Sequence, residues 1–240
     1  MQLLQLTLDD PYQNIALDEA LLESHERGEA DVEVLRLWQP SDPLVVMGRS
    51  SSLSREVNLE YCRREQVPVI RRCSGGASIV TGKGCLMYAV LLSYRKRPQL
   101  RMLEQVHQFV MSTIQAAIGS LGVQVEFQGT SDLTLNNRKF SGNALRCKKD
   151  WLLYHGTLLC SMDLDWITRC LGEPVRQPDY RADRSHAEFV GQIPVAVEEL
   201  SRALIAQWGA HERLETWPRE LTASLAAEKY SRPEWNQKVG

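Results

Sequence analysis

Residues Asp132 to Leu159, DLTLNNRKFSGNALRCKKDWLLYHGTLL, decide how the rest of the chain is read. Asp132 to Leu135 alternates polar and apolar residues, the pattern of a strand with one buried face. Asn136-Asn137 marks a tight turn, because asparagine tolerates positive φ. Lys139 follows at once, beside Phe140. Ser141-Gly142-Asn143-Ala144 is a run of small residues, which lets a ligand come close to the backbone. Trp151 to Tyr154 resumes a strand, and His155-Gly156 breaks it before Thr157-Leu158-Leu159. One lysine in a small-residue cradle, framed by an aspartate and a His-Gly pair, suggests a pocket for an anionic group.

Working outward, Val67-Pro68-Val69-Ile70 predicts a short buried strand. It delivers Arg71-Arg72-Cys73-Ser74-Gly75-Gly76-Ala77-Ser78 into a turn. Two glycines let backbone N–H groups face a ligand, and two arginines bring charge and forked donors for carboxylate or phosphate. Taken alone, the segment reads better as a Gly-rich turn with solvated arginines, because Gly-Gly turns are common. It is not a Walker A loop. Gly82-Lys83-Gly84-Cys85 precedes an apolar strand, Leu86 to Leu92, and Lys83 either meets a phosphate or stands solvated in the turn. The clearest helix spans Arg101 to Leu121, with Leu103, Val106, Val110, Ile114, Ala117 and Leu121 at helical spacing and Gly122 as its C-cap. His107 in that helix is read as structural. Val123 to Phe127 predicts a further strand.

At the start of the chain, Asn14 is expected to cap a helix to about Arg27, with Leu17, Leu21 and Leu22 facing the core. Val32 to Trp38 and Leu44 to Met47 read as strands split by a Pro-Ser-Asp-Pro turn. Gly48-Arg49 opens a Ser-rich loop that ends at Val57-Asn58. Beyond Leu159 a short helix is expected over Asp163 to Leu171. Arg176 to Phe189 is polar and irregular, either a loop that folds over a ligand or a surface connection. Two more helices are expected, Ala196 to Trp208 and Pro218 to Tyr230. Short groups of strands mixed with helices, rather than strict alternation, give an α+β class. With no internal repeat, low-complexity tract or linker, the chain is read as a single domain over 1–240.

Composition narrows the function. The chain has 240 residues, a formal net charge of −2 and 24% charged residues, so it offers no general nucleic-acid surface. No apolar run approaches the roughly 18 residues of a membrane span, and the start has no signal-peptide pattern. Six cysteines are scattered without a Cys-x-x-Cys, which suits reduced thiols in a cytoplasm rather than a disulfide frame or a zinc site.

The stretch around Lys139 resembles the lysine segment of lipoate–protein ligase A, in the superfamily of biotin/lipoate ligases and octanoyltransferases. Asp132-Leu133, Arg138-Lys139, Ser141-Gly142-Asn143-Ala144 and His155-Gly156-Thr157-Leu158-Leu159 carry the likeness, and the Arg71–Ser78 turn matches the family's Arg-Arg-x-Ser/Thr-Gly-Gly-Gly-Ala pattern with Ala77 at the third glycine. Ser51-Ser52 stand where the family has Gln-Asn, and Lys83 stands where it often has asparagine. The resemblance implies a biotin/lipoate ligase fold, with a central, mostly antiparallel sheet, helices on its outer face and the ligand over its inner face. It implies ATP-dependent activation of lipoate or octanoate to an acyl-adenylate, with Mg²⁺ offsetting phosphate charge. Transfer to a lysine of a lipoyl carrier domain follows, of the glycine cleavage H protein or 2-oxoacid dehydrogenase E2 type.

In that scheme Lys139 is catalytic, neutralising charge at the carboxyl–phosphate junction. Arg71, Arg72, Ser74, Gly75, Gly76, Ala77, Ser78 and Ile79 line the acyl and adenylate sites, joined by Lys83. Asp132 orients the nucleotide or the incoming amine. Gly142, Asn143 and Ala144 form the cradle, and His155 and Gly156 the pocket floor. No metal ligands are expected from the protein, and neither nucleic acid nor membrane is an expected partner. Two alternatives stand beside the ligase. One is an ATP-independent acyltransferase, which would need an activated cysteine; Gly129-Thr130-Ser131 lacks one, and Cys147 and Cys170 are the candidates. The other is an acyl-binding module that needs a separate accessory protein. Longer ligases carry an additional small C-terminal domain, and none is expected here after Trp235.

Overall fold

The computed structural model describes residues 1–172 and 177–238. Its strands in chain order are β1 (Gln2–Gln5), β2 (Val34–Trp38), β3 (Leu44–Met47), β4 (Val69–Arg71), β5 (Ile79–Thr81), β6 (Cys85–Ser93), β7 (Glu126–Gln128), β8 (Asp132–Leu135), β9 (Arg138–Ser141), β10 (Asn143–Cys147), β11 (Trp151–Leu159) and β12 (Glu212–Arg213). They form a six-stranded sheet ordered β10-β11-β6-β2-β1-β12 and two three-stranded sheets, β4-β3-β5 and β7-β8-β9. The large sheet is mixed. β10–β11, β11–β6 and β6–β2 pair antiparallel, while β2–β1 and β1–β12 run parallel.

β6 and β11 are the spine, pairing over their full nine-residue lengths from Cys85↔Leu159 to Trp151↔Ser93. Every residue of β6 is buried, because both faces of the sheet are covered. The period of two sorts the side chains. Leu35, Leu37, Tyr88, Val90, Leu152 and Tyr154 belong to the large core shared with the helices Leu103–Gly119 and Val197–Trp208. Val34, Ala89, Leu91 and Leu153 belong to a second core with Leu17, Leu21 and Leu22 of the helix Pro11–Glu26. The same parity puts Arg36 and His155 on this second face.

Several expected boundaries move. The first helix starts at Pro11, and Asp10 is its cap, accepting from the Tyr12 N–H at 2.8 Å. An aspartate cap followed by proline at the first helical position outranks the later asparagine. Asn14 instead exchanges hydrogen bonds with both backbone groups of Leu8. The Ser-rich loop contains a short helix, Leu53–Glu56. The strand expected at Val123 to Phe127 forms at Glu126–Gln128. The last long helix ends in a π turn, Ala226–Tyr230. Asn136 and Asn137 both take positive φ, at 51° and 59°, as the β8–β9 turn requires. All six cysteines are free. No helix among the described residues is long and apolar enough to cross a membrane.

Candidate active site

A cavity of about 190 Å³ opens between the second core face, the β8–β9 hairpin and the segment around 178–190. Its wall is largely apolar, including Ile15, Trp38, Met87, Phe140 and Phe189, and Lys139 stands in it as a cation. β9 delivers Lys139 directly after the Asn-Asn turn. Its Nζ pairs with Asp132 Oδ1 at 2.8 Å, and its side chain keeps 28% exposure. Of the residues expected in the site, Arg72, Ala77, Ser78, Ile79, Lys139, Gly142, Asn143, Ala144, His155 and Gly156 line the cavity.

The cradle has a physical reason for its composition. Asn143 accepts from the Tyr88 hydroxyl and donates to the Ser131 carbonyl at 2.6 Å, which fixes the start of β10. A Cβ on Gly156 would lie 1.9 Å from Asn143 Oδ1, so only glycine leaves room for that lock.

Arg71, Ser74, Gly75, Gly76, Lys83 and Asp132, also expected in the site, are not among the residues that line this cavity. Arg71 is fully buried and donates to the carbonyls of Gly48, Arg49, Ser51, Trp235, Asn236 and Lys238. It clamps the C-terminal segment to β4 and has no fork left for a ligand. Arg72 reaches the cavity, yet its guanidinium also donates inward, to Val46 O, Gly75 O, Ala77 O and Ser74 Oγ. Burial lowers it to about 10, so it stays cationic at neutral pH and makes the wall electropositive. Gly75 and Gly76 are exposed in the turn, and Gly76 needs its φ of +86°. Lys83 is exposed in the Gly82–Gly84 turn. Asp132 stands behind Lys139 and holds it.

The sequence reading missed a relay across the inner wall. Arg36 donates to Asp18 Oδ1 at 2.6 Å, and His155 Nδ1 lies 2.7 Å from Asp18 Oδ2. His155 Nε2 lies 2.6 Å from Ser74 Oγ, which also accepts from Arg72 Nε at 3.0 Å. With His155 neutral and Asp18 ionised, Nδ1 carries the proton and Nε2 accepts from the Ser74 hydroxyl. Burial opposes the charge on Asp18, but the guanidinium of Arg36 and the His155 hydrogen bond outweigh it and hold the carboxyl below its usual range. A lone arginine in the apolar run VLRLW, with a lone acid on an apolar helix face, was the available signal.

Glu56 was missed as well. It accepts from the N–H and hydroxyl of Ser78, each at 2.9 Å, and from Ser52 N–H at 3.1 Å. It thereby ties the Gly-rich turn to the 51–57 segment. For the 176–189 loop the sequence leaned slightly to a surface connection, residue by residue, over a lid. Its described part supplies Pro178, Arg181, His186 and Phe189 to the cavity, whereas Arg176 lies outside the described residues. Among the thiols, burial pushes Cys73 and Cys160 up to about 12 and Cys85 up to about 11. Cys170 is buried in the core and Cys147 is exposed, and neither lines the cavity.

Comparison with known proteins agrees with this geometry. The family model for the lipoyl protein ligase A/B catalytic domain matches residues 10–208. A protein of Aeropyrum pernix, named as a candidate lipoate-protein ligase A, is 31% identical over 213 residues, covering 89% of this chain and 76% of that protein. The chain spans about half the length of other curated relatives it matches, 46% in one case. A bi-partite lipoate protein ligase from Thermoplasma acidophilum, solved in a study of that ligase and its E2 lipoyl domain, has the same fold, with a TM-score of 0.83 at 23% identity over 100% of this chain and 96% of that one. A lipoate-protein ligase A solved with ATP bound gives a TM-score of 0.80 at 23% identity, covering 100% of this chain and 99% of that one. By the match over residues 10–208, the chain belongs to the lipoyl protein ligase A/B catalytic domain family.

Proposed function

We propose that this chain is a lipoate–protein ligase, activating lipoate or octanoate with ATP and passing the acyl group to a lysine of a lipoyl carrier domain. The observation that carries this reading is one half-exposed lysine ammonium in the wall of a narrow, mostly apolar cavity. Such a slot suits an acid with an apolar tail and a single negative head. Joining a carboxylate to an amine in water needs an activated acid, and the structural relative with bound ATP supports the nucleotide as the activating group.

In this reading the tail lies against Trp38, Met87, Phe140 and Phe189, and the Lys139 ammonium faces the carboxyl carbon's oxygens. As the carboxylate attacks the α-phosphate and pyrophosphate leaves, negative charge gathers where Lys139 is already placed. The same ammonium supports the tetrahedral oxyanion when the carrier lysine attacks and AMP departs. Arg72 adds a fixed positive potential from the wall, and Asp132 holds Lys139 in place between turnovers. No group of three or more His, Cys, Asp or Glu among the described residues could hold a metal ion. Magnesium in this reading enters with ATP, as the counter-ion of its phosphates.

The acceptor is a lipoyl domain of the 2-oxoacid dehydrogenase E2 or glycine cleavage H type, and a separate accessory protein is a second partner to test. Dependence on ATP supports work in the cytoplasm. We read 1–240 as one catalytic domain. The transferase alternative lacks support from the thiols, since no cysteine lines the cavity.

The test is intact mass of an apo lipoyl domain after incubation with the chain, lipoate or octanoate, and ATP-Mg²⁺. Acylation that requires ATP is the expected result. Acylation from an octanoylated carrier without ATP would make the chain a transferase. Lipoate binding without turnover, restored by an added accessory protein, would make it one half of a ligase.

A further inference from the structure

Residues 178–191 lie against the hairpin that carries Lys139. Gly191 N–H donates to the Lys139 carbonyl at 2.8 Å, Arg138 donates to the Ala187 and Val190 carbonyls, and Arg184 donates to the Asn137 carbonyl. At the centre of this contact one carboxylate is shared. Asp132 Oδ1 pairs with Lys139 Nζ at 2.8 Å, and Asp132 Oδ2 accepts from the Tyr180 hydroxyl at 2.7 Å. Tyr180 packs on Phe189 with ring centroids 5.3 Å apart, and Phe189 lines the cavity. The main chain makes room for the phenol. A Cβ on Gly129 would stand 3.3 Å from Tyr180 Cε1, and Gly129 has a φ of +59°.

We propose that Tyr180 is a positioning residue: by holding one oxygen of Asp132 it limits that carboxylate's grip on Lys139, so that the substrate's carboxylate can take over the ammonium. The inference rests on reading Lys139 as the cation that meets the acyl head. An ionised carboxylate divides its charge among the donors it accepts from. With the phenol in place, Asp132 is satisfied on both oxygens and Lys139 can exchange one anion for another. Without it, the ammonium is the remaining strong donor to Asp132, and an incoming anion competes less well. Burial, with the Asp132 charge next in effect, raises the Tyr180 phenol far above its ordinary range, so it remains a donor across physiological pH.

Tyr180→Phe removes the hydroxyl and keeps the ring on Phe189. Initial acylation rates are measured against lipoate concentration with saturating ATP-Mg²⁺ and apo lipoyl domain, alongside octanoate binding by calorimetry and a melting curve. KM for lipoate should rise about tenfold, the weight of one hydrogen bond to a charged group, with kcat little changed. Octanoate affinity should fall in parallel. In an Asp132→Asn background, where the competing charge is gone, Tyr180→Phe should leave KM unchanged. A wild-type KM in the single variant overturns the inference. So does an equal rise in both backgrounds, which would mean that the hydroxyl only tethers the segment. Should Lys139→Met turn over at the wild-type rate, the underlying reading fails; should it be inactive while Tyr180→Phe matches wild type, this inference alone fails.

Discussion

Two ion pairs border the same cavity and are built in opposite ways. Lys139–Asp132 leaves 28% of the lysine side chain exposed. Asp18–Arg36 is closed off: Arg36 is fully buried and also donates to the carbonyl and side chain of Asn14, while both Asp18 oxygens are engaged. A half-exposed ammonium with a long flexible stem can trade one anion for another at small cost. A buried, hydrogen-bonded pair cannot, because an unmatched charge there faces a poorly polarisable medium. On the proposed reading, charge serves binding and chemistry at Lys139, whereas at Asp18 it serves architecture.

That contrast breaks most visibly at Asp18. Asp18→Ala leaves Arg36 buried without its counter-charge and should destabilise the fold by about 3–5 kcal/mol, a melting drop of about 10 °C. Calorimetry of the variant checks it, and a loss within experimental error would mean the relay is ornamental. The pH dependence follows the same group. Its folded carboxyl lies below its unfolded value of about 3.9, so its contribution is present above that pH and fades as acid drives the pH through the folded value. Asp18→Asn should therefore start less stable and lose less on acidification than wild type.

At the other pair the expected damage is to rate. Lys139→Met keeps the stem and removes the charge. Acylation of an apo lipoyl domain should fall about a hundredfold or more, with a melting temperature close to wild type. Lys139→Arg should be similarly impaired, since a planar fork does not reproduce a point charge beside Asp132. Near-normal turnover of Lys139→Met would remove the site from this hairpin.

A milder effect is expected where the two regions meet. A Cβ on Gly76 would lie 2.8 Å from Arg72 Nη2 and would strain a backbone at φ +86°. Gly76→Val should shift Arg72 and the turn, lowering lipoate affinity more than it lowers the melting temperature. Equal affinity with a lower melting point would make the turn purely structural. The smallest effect belongs to the thiols. Cys147→Ser should leave turnover unchanged, because Cys147 is exposed and away from the cavity. A trapped acyl-thioester on it would revive the transferase reading.

Much of this was legible from the chain alone. The β8–β9 turn, the lysine beside it, the small-residue cradle and the long buried strands follow from local rules: φ tolerance of asparagine, alternation and apolar runs. The lines that placed Lys139, Asn143 and Gly156 at one site were short in sequence, and β10–β11 pairing brings Asn143 opposite Gly156 directly.

What tertiary structure alone decided is where each polar group sends its hydrogen bonds. Arg71 and Arg72 are neighbours in sequence and look interchangeable as phosphate binders. Strand alternation turns one toward the C-terminal segment and the other toward the cavity, and both direct most of their donors to backbone carbonyls. Asp18 stood out as a lone acid on an apolar helix face and Tyr180 not at all, and neither partner was legible locally, because the partners lie 18 and 48 residues away. Sequence determines which groups are available and which face of an element they occupy. Only the packed fold determines which of them are buried, and burial is what obliges a charge to find its partner.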